Sequence, residues 1–170
     1  MRRMPDIIFD NCVLSNFALS DSLDIIKRLY ASSAYITDFV AAENLTGILK
    51  GHGRLKDINN AIREGWLKEI ALSGDEEKRL FESLAVSLGF GEASAIAVAK
   101  MRGYVFACDD RAARREAALL GVRLTGTLGI LIKATKKKII SVKRADEILG
   151  QMIENGFYAP VSSLKELPFN

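Results

Sequence analysis

The amino-acid sequence predicts an α/β fold, with a mainly parallel central sheet of about five short strands and helices on both faces. Three observations lead there. Short apolar runs alternate with helical patterns along the chain, as expected for crossover units that join parallel strands. The first run, Ile7-Ile8-Phe9, is apolar at every position, as suits a strand buried on both faces. The 170 residues are 49% hydrophobic and 26% charged, which supplies a core and argues against disorder.

The elements follow in order. After the first strand, a helical pattern from about Asp21 to Tyr30 puts Leu23, Ile25, Ile26 and Leu29 on one broad face. Ala34-Tyr35-Ile36 is the second strand. Thr37 or Asp38 then caps a helix carrying Val40, Ala41, Leu45, Ile48 and Leu49, which ends at Gly51-His52-Gly53. Leu55, Ile58, Ala61 and Ile62 mark a helix that stops at Gly65, and Trp66 to Ile70 alternates as a third strand. Asp75 opens a helix with Leu80, Leu84, Val86 and Leu88. Gly89-Phe90-Gly91 breaks it, and Glu92 begins an Ala-rich helix reaching about Arg102. Tyr104 to Cys108 is the fourth strand, Asp109-Asp110 opens a helix ending at Gly121, and Val122-Arg123-Leu124 is the fifth strand. Thr125 to Thr135 is helical, and Ser141 caps a last amphipathic helix from Val142 to about Asn155. No repeat or linker interrupts the chain. Residues 1–170 are therefore expected to form one domain, with a core at about 6–135 and a C-terminal helical packing segment at 136–170.

The net charge of +3 neither demands nor opposes a nucleic-acid partner. The position of the basic residues matters more: Arg111, Arg114 and Arg115 form one cluster, and Lys133 with Lys136 to Lys138 another. Cys12 and Cys108 are too few for a disulfide framework and read as buried thiols at strand ends, in a reducing cytoplasm. No run of 18 apolar residues exists to span a membrane, and the start, Met1 to Asp6, lacks a following signal-peptide core. His52 is the only histidine and sits in a Gly-flanked break, which removes Ser-His-Asp and Cys-His nucleophilic arrangements.

In open parallel sheets the functional crevice lies beyond the carboxyl ends of the strands. Asp10 directly follows the first strand, Asp109-Asp110 directly follow the fourth, Glu92 stands in the first turn of the helix before it, and Glu43 lies inside the second helix. Singly, each has an ordinary explanation: a turn, a helix cap, a helix-dipole partner or a surface carboxylate. Carboxylates converging on one crevice repel one another, so together they call for a cation. Hard oxygen ligands suit Mg²⁺ or Mn²⁺, and such ions serve phosphodiester hydrolysis.

Five stretches then resemble, in order, the motifs of PIN domains. They are Ile7 to Leu14, Ile36 to Glu43, Gly91 to Ala99, Ala107 to Arg114 and Gly126 to Leu131. The resemblance covers roughly residues 6 to 135. It implies a three-layer α/β/α arrangement and a divalent-metal-dependent ribonuclease of the VapC toxin type. By the same resemblance Asp10, Glu43, Glu92 and Asp110 are catalytic, and Asp10, Glu92, Asp110 and Asp109 are the metal ligands. The two adjacent acids divide the last position; Asp110 is favoured, because the family pattern there is Thr-x-Asp and Cys108 occupies the Thr place. Asn11-Cys12 departs from the small polar pair of many relatives. Substrate contacts are expected from Asn11, Thr127 with its helix N-terminus, Arg111, Arg114 and Arg115. The expected partners are an RNA substrate, an antitoxin protein and a second copy in a homodimer.

Other classes fit less well. A phosphoryl-receiver domain wants a Lys after a late strand, where Leu124 is followed by Thr125-Gly126. A haloacid-dehalogenase phosphatase wants Asp-x-Asp after the first strand, where Asp10-Asn11-Cys12 lacks the second acid. A non-catalytic PIN-like module that binds RNA or protein is the alternative; it is expected to have lost acids that are present here.

Overall fold

The computed structural model describes residues 4–167; Met1-Arg2-Arg3 and the last three residues lie outside them. Five strands, β1 (Ile7–Phe9), β2 (Ala34–Thr37), β3 (Leu67–Ile70), β4 (Val105–Ala107) and β5 (Leu124–Thr125), form one sheet in the order β3-β2-β1-β4-β5. Every pairing is parallel. The chain therefore builds outward from β1 in one direction to β3, then crosses back to lay β4 and β5 on the other side. That reversal makes the β1–β4 seam the switch point of the sheet, where two strand ends diverge into helices on opposite faces.

The helices are α1 (Asn11–Leu19), α2 (Leu23–Tyr30), α3 (Asp38–Leu49), α4 (Lys56–Glu64), α5 (Asp75–Leu84), α6 (Phe90–Arg102), α7 (Arg111–Leu119), α8 (Thr127–Lys136) and α9 (Val142–Glu154). Side chains of β1 alternate across the pleat. Ile7 and Phe9 join a core with α1, α2, α8 and α9, while Ile8 joins a second core with α6, α7 and Phe106. All three are almost wholly buried, which is why β1 is apolar throughout. These two cores on opposite faces are the three layers, α/β/α, that the sequence predicts.

Local signals account for most boundaries. Thr37 caps α3 by accepting from the Val40 amide, Ser141 caps α9 by accepting from the Arg144 amide, and Asp110 caps α7. Gly65 ends α4 in the left-handed region at φ 88°, which a residue without Cβ adopts cheaply.

Three readings of the sequence are corrected. The stretch after Asp10 is itself a helix, α1, so Cys12 lies in a helical first turn and not at a strand end. Leu45, Leu49 and Val86, read as apolar markers of their helices, are 50%, 80% and 88% exposed. In α3 the inward stripe runs instead through Val40 and the buried Asn44, whose amide donates to the Leu55 carbonyl and to Asn59 Oδ1. This polar side chain on the inner face ties down the turn into α4, while Ala41 and Ile48 stay partly buried against the core and Leu45 and Leu49 face outward. Val86 lies beyond the end of α5, where the helical period no longer applies.

Candidate active site

The β1–β4 register sets Phe9 beside Ala107, and the Asp10 amide donates to the Ala107 carbonyl at 2.9 Å. The two strand ends therefore deliver Asp10 and the Asp109-Asp110 pair to one place. Asp10 is only 4% exposed and stands at the N-terminus of α1 without making a side-chain capping bond. Its Oδ2 instead accepts from the Cys12 thiol at 2.9 Å and from the Cys108 thiol at 3.7 Å. Burial pushes the Asp10 carboxyl up from its usual range; the two thiols and the nearby Asn11 and Cys12 amides pull it partly back.

The other two acids come from α3, which carries Glu43, and from α6, which carries Glu92. The first turn of α6 is held to β2 by the buried pair Thr37 Oγ1 and Ser94 Oγ, 2.7 Å apart, and Ser94 also donates to the Gly91 carbonyl. The Gly91 amide donates to Glu43 Oε1 at 3.2 Å, so the α6 N-terminus receives the α3 carboxylate. Only glycine permits this approach, because a Cβ at position 91 would collide with the Glu43 carboxylate. Burial raises the Glu43 carboxyl, the charge of Asp10 raises it further, and the Gly91 hydrogen bond lowers it. Glu92, next along the turn, is pushed up to about 7: burial contributes most, then the charges of Asp10 and Asp110, and last Glu43. The charge of Asp10 is thus felt by both Glu43 and Glu92, and Glu92 also feels Asp110 and Glu43.

Asp10, Glu92 and Asp110 line a cleft of about 700 Å³ together with Cys12, Asp109, Arg111, Phe157, Tyr158 and Pro160, and Glu43 stands outside that lining. The adjacent acids have different surroundings. Asp109 turns toward α8: Oδ1 accepts from the Thr127 amide at 2.9 Å, and Oδ2 accepts from the Thr127 hydroxyl at 2.6 Å and from the Asn16 amide at 3.2 Å. A Cβ at Gly126 would meet Asp109 Oδ1 at 2.6 Å and the Cys108 carbonyl at 3.2 Å, so this packing also needs glycine. Asp110 accepts from the Ala113 amide through Oδ1 alone, as a cap, and its charge is felt by Glu92. Asp109 is thus fully occupied in holding α8, whereas Asp110 keeps an oxygen for the cleft.

The expected substrate contacts separate in the same way. Arg111 lines the cleft. Arg115 is exposed on α7. Arg114 is a strut: its Nη1 donates to the carbonyls of Cys108 at 2.7 Å and Thr125 at 2.9 Å, tying β4 to β5. Thr127 is fully buried, with its hydroxyl directed to Asp109, so its side chain belongs to the scaffold of α8. The side chain of Asn11 is half-buried, and its amide oxygen is buried without a hydrogen-bond partner.

Several site residues escaped the sequence reading. Asn16 bridges Asp109 and Thr127, donating to Thr127 Oγ1 at 3.1 Å. Its place on α1 is the only signal, and that helix was not read. Phe157, Tyr158 and Pro160 follow α9 in an irregular segment with no periodicity to reveal them. The two cysteines, read as core, flank Asp10; both are free thiols.

An acidic cleft at the switch point of a parallel sheet, rimmed by arginine, fits a site that holds a divalent cation against a phosphate. No curated protein matches the chain. The family model DUF3368, described as a PIN domain, matches residues 6–167, and so extends past residue 135 through α9 and the segment that walls the cleft. The chain belongs to the PIN domain family.

Proposed function

We propose that this protein is a ribonuclease that hydrolyses RNA phosphodiester bonds with Mg²⁺ or Mn²⁺, acting as the VapC-like toxin of a toxin–antitoxin pair in the cytoplasm. PIN domains are in general metal-dependent nucleases, and the finer reading rests chiefly on the convergence of Asp10, Glu43, Glu92 and Asp110. Burial raises three of these carboxyls, Asp10, Glu43 and Glu92, and the charge of Asp10 raises Glu43 and Glu92 further, so the apo site carries repulsion that a cation relieves. The donor set fits a hard ion: Asp10, Glu92 and Asp110 would hold it, with Glu43 behind. Bound there, such an ion supplies positive charge against the charge developing on phosphate and makes a water more acidic.

The chain's own residues do the rest. Arg111 offers a guanidinium to a phosphate beside the cut. Glu43, fixed by the Gly91 amide, orients the attacking water from the α3 side. Exposed Tyr158 and half-buried Phe157 present rings on which bases can stack. Among the described residues no helix is long and apolar enough to cross a membrane.

Purified protein is expected to cut single-stranded RNA with Mn²⁺ and to stop when a chelator is added. Intact RNA under both conditions would favour the non-catalytic binding module.

Glu92 gives a second expectation. Its folded carboxyl sits near 7, above the usual 4.5, so between these values the folded apo protein holds a proton that the unfolded chain has released. Stability contributed by this group is full below about 4.5 and is lost as pH rises through about 7. Apo Glu92→Gln should therefore melt higher than wild type at pH 8 and no higher at pH 4.5. Lower melting at pH 8 would make Glu92 a structural cap. Mn²⁺ affinity of wild type should also weaken as pH falls below about 7, because the ion must displace that proton.

A further inference from the structure

The oxygen ligands account for a hard cation, but Asp10 also belongs to a different donor set. Asp10, Cys12 and Cys108 each present one ligand atom, and these three atoms lie within 4.8 Å of one another. We infer that the carboxylate of Asp10 and the thiols of Cys12 and Cys108 form a second, soft-metal site that takes Zn²⁺ and competes with the nuclease ion for Asp10. The site itself stands on this geometry alone. Only its inhibitory consequence rests on the function proposed above.

The distances suit a tetrahedral ion with little movement. Zn–S bonds of about 2.3 Å hold two sulfurs about 3.8 Å apart, and a Zn–O bond of about 2.0 Å sets oxygen and sulfur at about 3.5 Å. Cys108 Sγ already lies 3.7 Å from Asp10 Oδ2, and Cys12 Sγ at 2.9 Å must open by about half an ångström. The scaffold holds the ligands ready. Cys108 is fully buried just after β4, Asp10 follows its neighbour β1, and Cys12 is two residues further along in the first turn of α1. Cys12 also lines the cleft, which gives an ion a way in and leaves its fourth position open to water or Glu92.

On binding, both S–H bonds break, two metal–thiolate bonds form, and the protons leave to solvent. Thiolates prefer Zn²⁺ to Mg²⁺ or Mn²⁺, and the general order of affinities favours zinc over manganese as well. Zinc therefore takes Asp10 out of the oxygen set and is expected to inhibit cleavage where Mn²⁺ supports it.

The test uses the full chain, metal-free and reduced. One Zn²⁺ per chain should bind by calorimetry in excess Mg²⁺, and Co²⁺ should give a thiolate-to-metal charge-transfer band. Cys12→Ser, which leaves one thiolate, should clearly weaken the band and weaken Zn²⁺ at least about a hundred-fold. Because Cys108 is buried and Cys108→Ser risks misfolding, a second measurement needs no variant: Zn²⁺ should protect Cys12 of the wild type from alkylation. A Co²⁺ spectrum without sulfur character, wild-type zinc affinity in Cys12→Ser, or unchanged alkylation would each overturn the inference. The two readings fail separately: zinc binding without Mn²⁺-dependent cleavage sinks the nuclease, and cleavage without a thiolate band sinks the zinc site.

Discussion

Asp10→Asn is expected to abolish Mn²⁺-dependent RNA cleavage and to leave the fold in place. The residue is 4% exposed at the sheet's switch point, and its charge helps raise both Glu43 and Glu92. Its side chain makes no helix-capping bond, and among the described residues its hydrogen-bonded side chains are two thiols, from which an amide oxygen can still accept. The amide is nearly isosteric, so packing against β4 survives. It is also neutral, so the cost of burying a charge disappears and apo stability should hold or rise. The loss of cleavage should exceed about a hundred-fold, since removing even a group behind a metal ligand costs ten- to a hundred-fold. Cleavage assays with thermal melts on the same preparation decide it. Wild-type cutting by a folded Asp10→Asn protein would remove the centre of the proposed mechanism.

The second large effect distinguishes the adjacent acids. Asp109→Ala strips partners from the Thr127 amide, the Thr127 hydroxyl and the Asn16 amide. Thr127 is fully buried, so its orphaned donors cannot turn to water. Each unsatisfied buried donor costs about 1–3 kcal/mol, so a total near 3 kcal/mol or more is expected. For a chain of this length that lowers the melting temperature by roughly 10 °C. Asp110→Ala loses one capping bond, worth about 1 kcal/mol, and should melt only a few degrees lower. Its cleavage should nevertheless fall at least about a hundred-fold, because it removes an oxygen from the proposed ligand set. Asp109→Ala, where still folded, should retain more activity than Asp110→Ala. If Asp110→Ala cuts normally while Asp109→Ala is stable and inactive, the inner ligand is Asp109.

The neighbouring basic residues carry the same lesson about adjacency. Arg111 and Arg114 are three positions apart on α7, yet one lines the cleft and the other braces β4 to β5 through two main-chain carbonyls. Clustering in sequence indicated a basic helix. It did not indicate which guanidinium was already engaged.

Much was determined by the sequence alone. The order of strands and helices follows from local periodicity, and β1 reads clearly because all three residues must be apolar to lie between two cores. Acids placed just after β1 and β4 mark the carboxyl end of the sheet in any parallel arrangement. Helix α1 was not legible: Asn11, Cys12, Ser15 and Asn16 are weak helix formers, and packing of Val13, Leu14, Phe17 and Ala18 overrides them.

Tertiary structure decided what lies next to what. Sheet order joins Asp10 to Cys108 across 98 residues and Asn16 to Thr127 across 111, separations at which local pattern carries no information. It divided Asp109 from Asp110 because, where a strand turns into a helix, successive side chains leave the backbone in different directions. It also turned two small apolar-looking cysteines into neighbours of the principal acid, since β1 and β4 pair in the register that sets Phe9 beside Ala107.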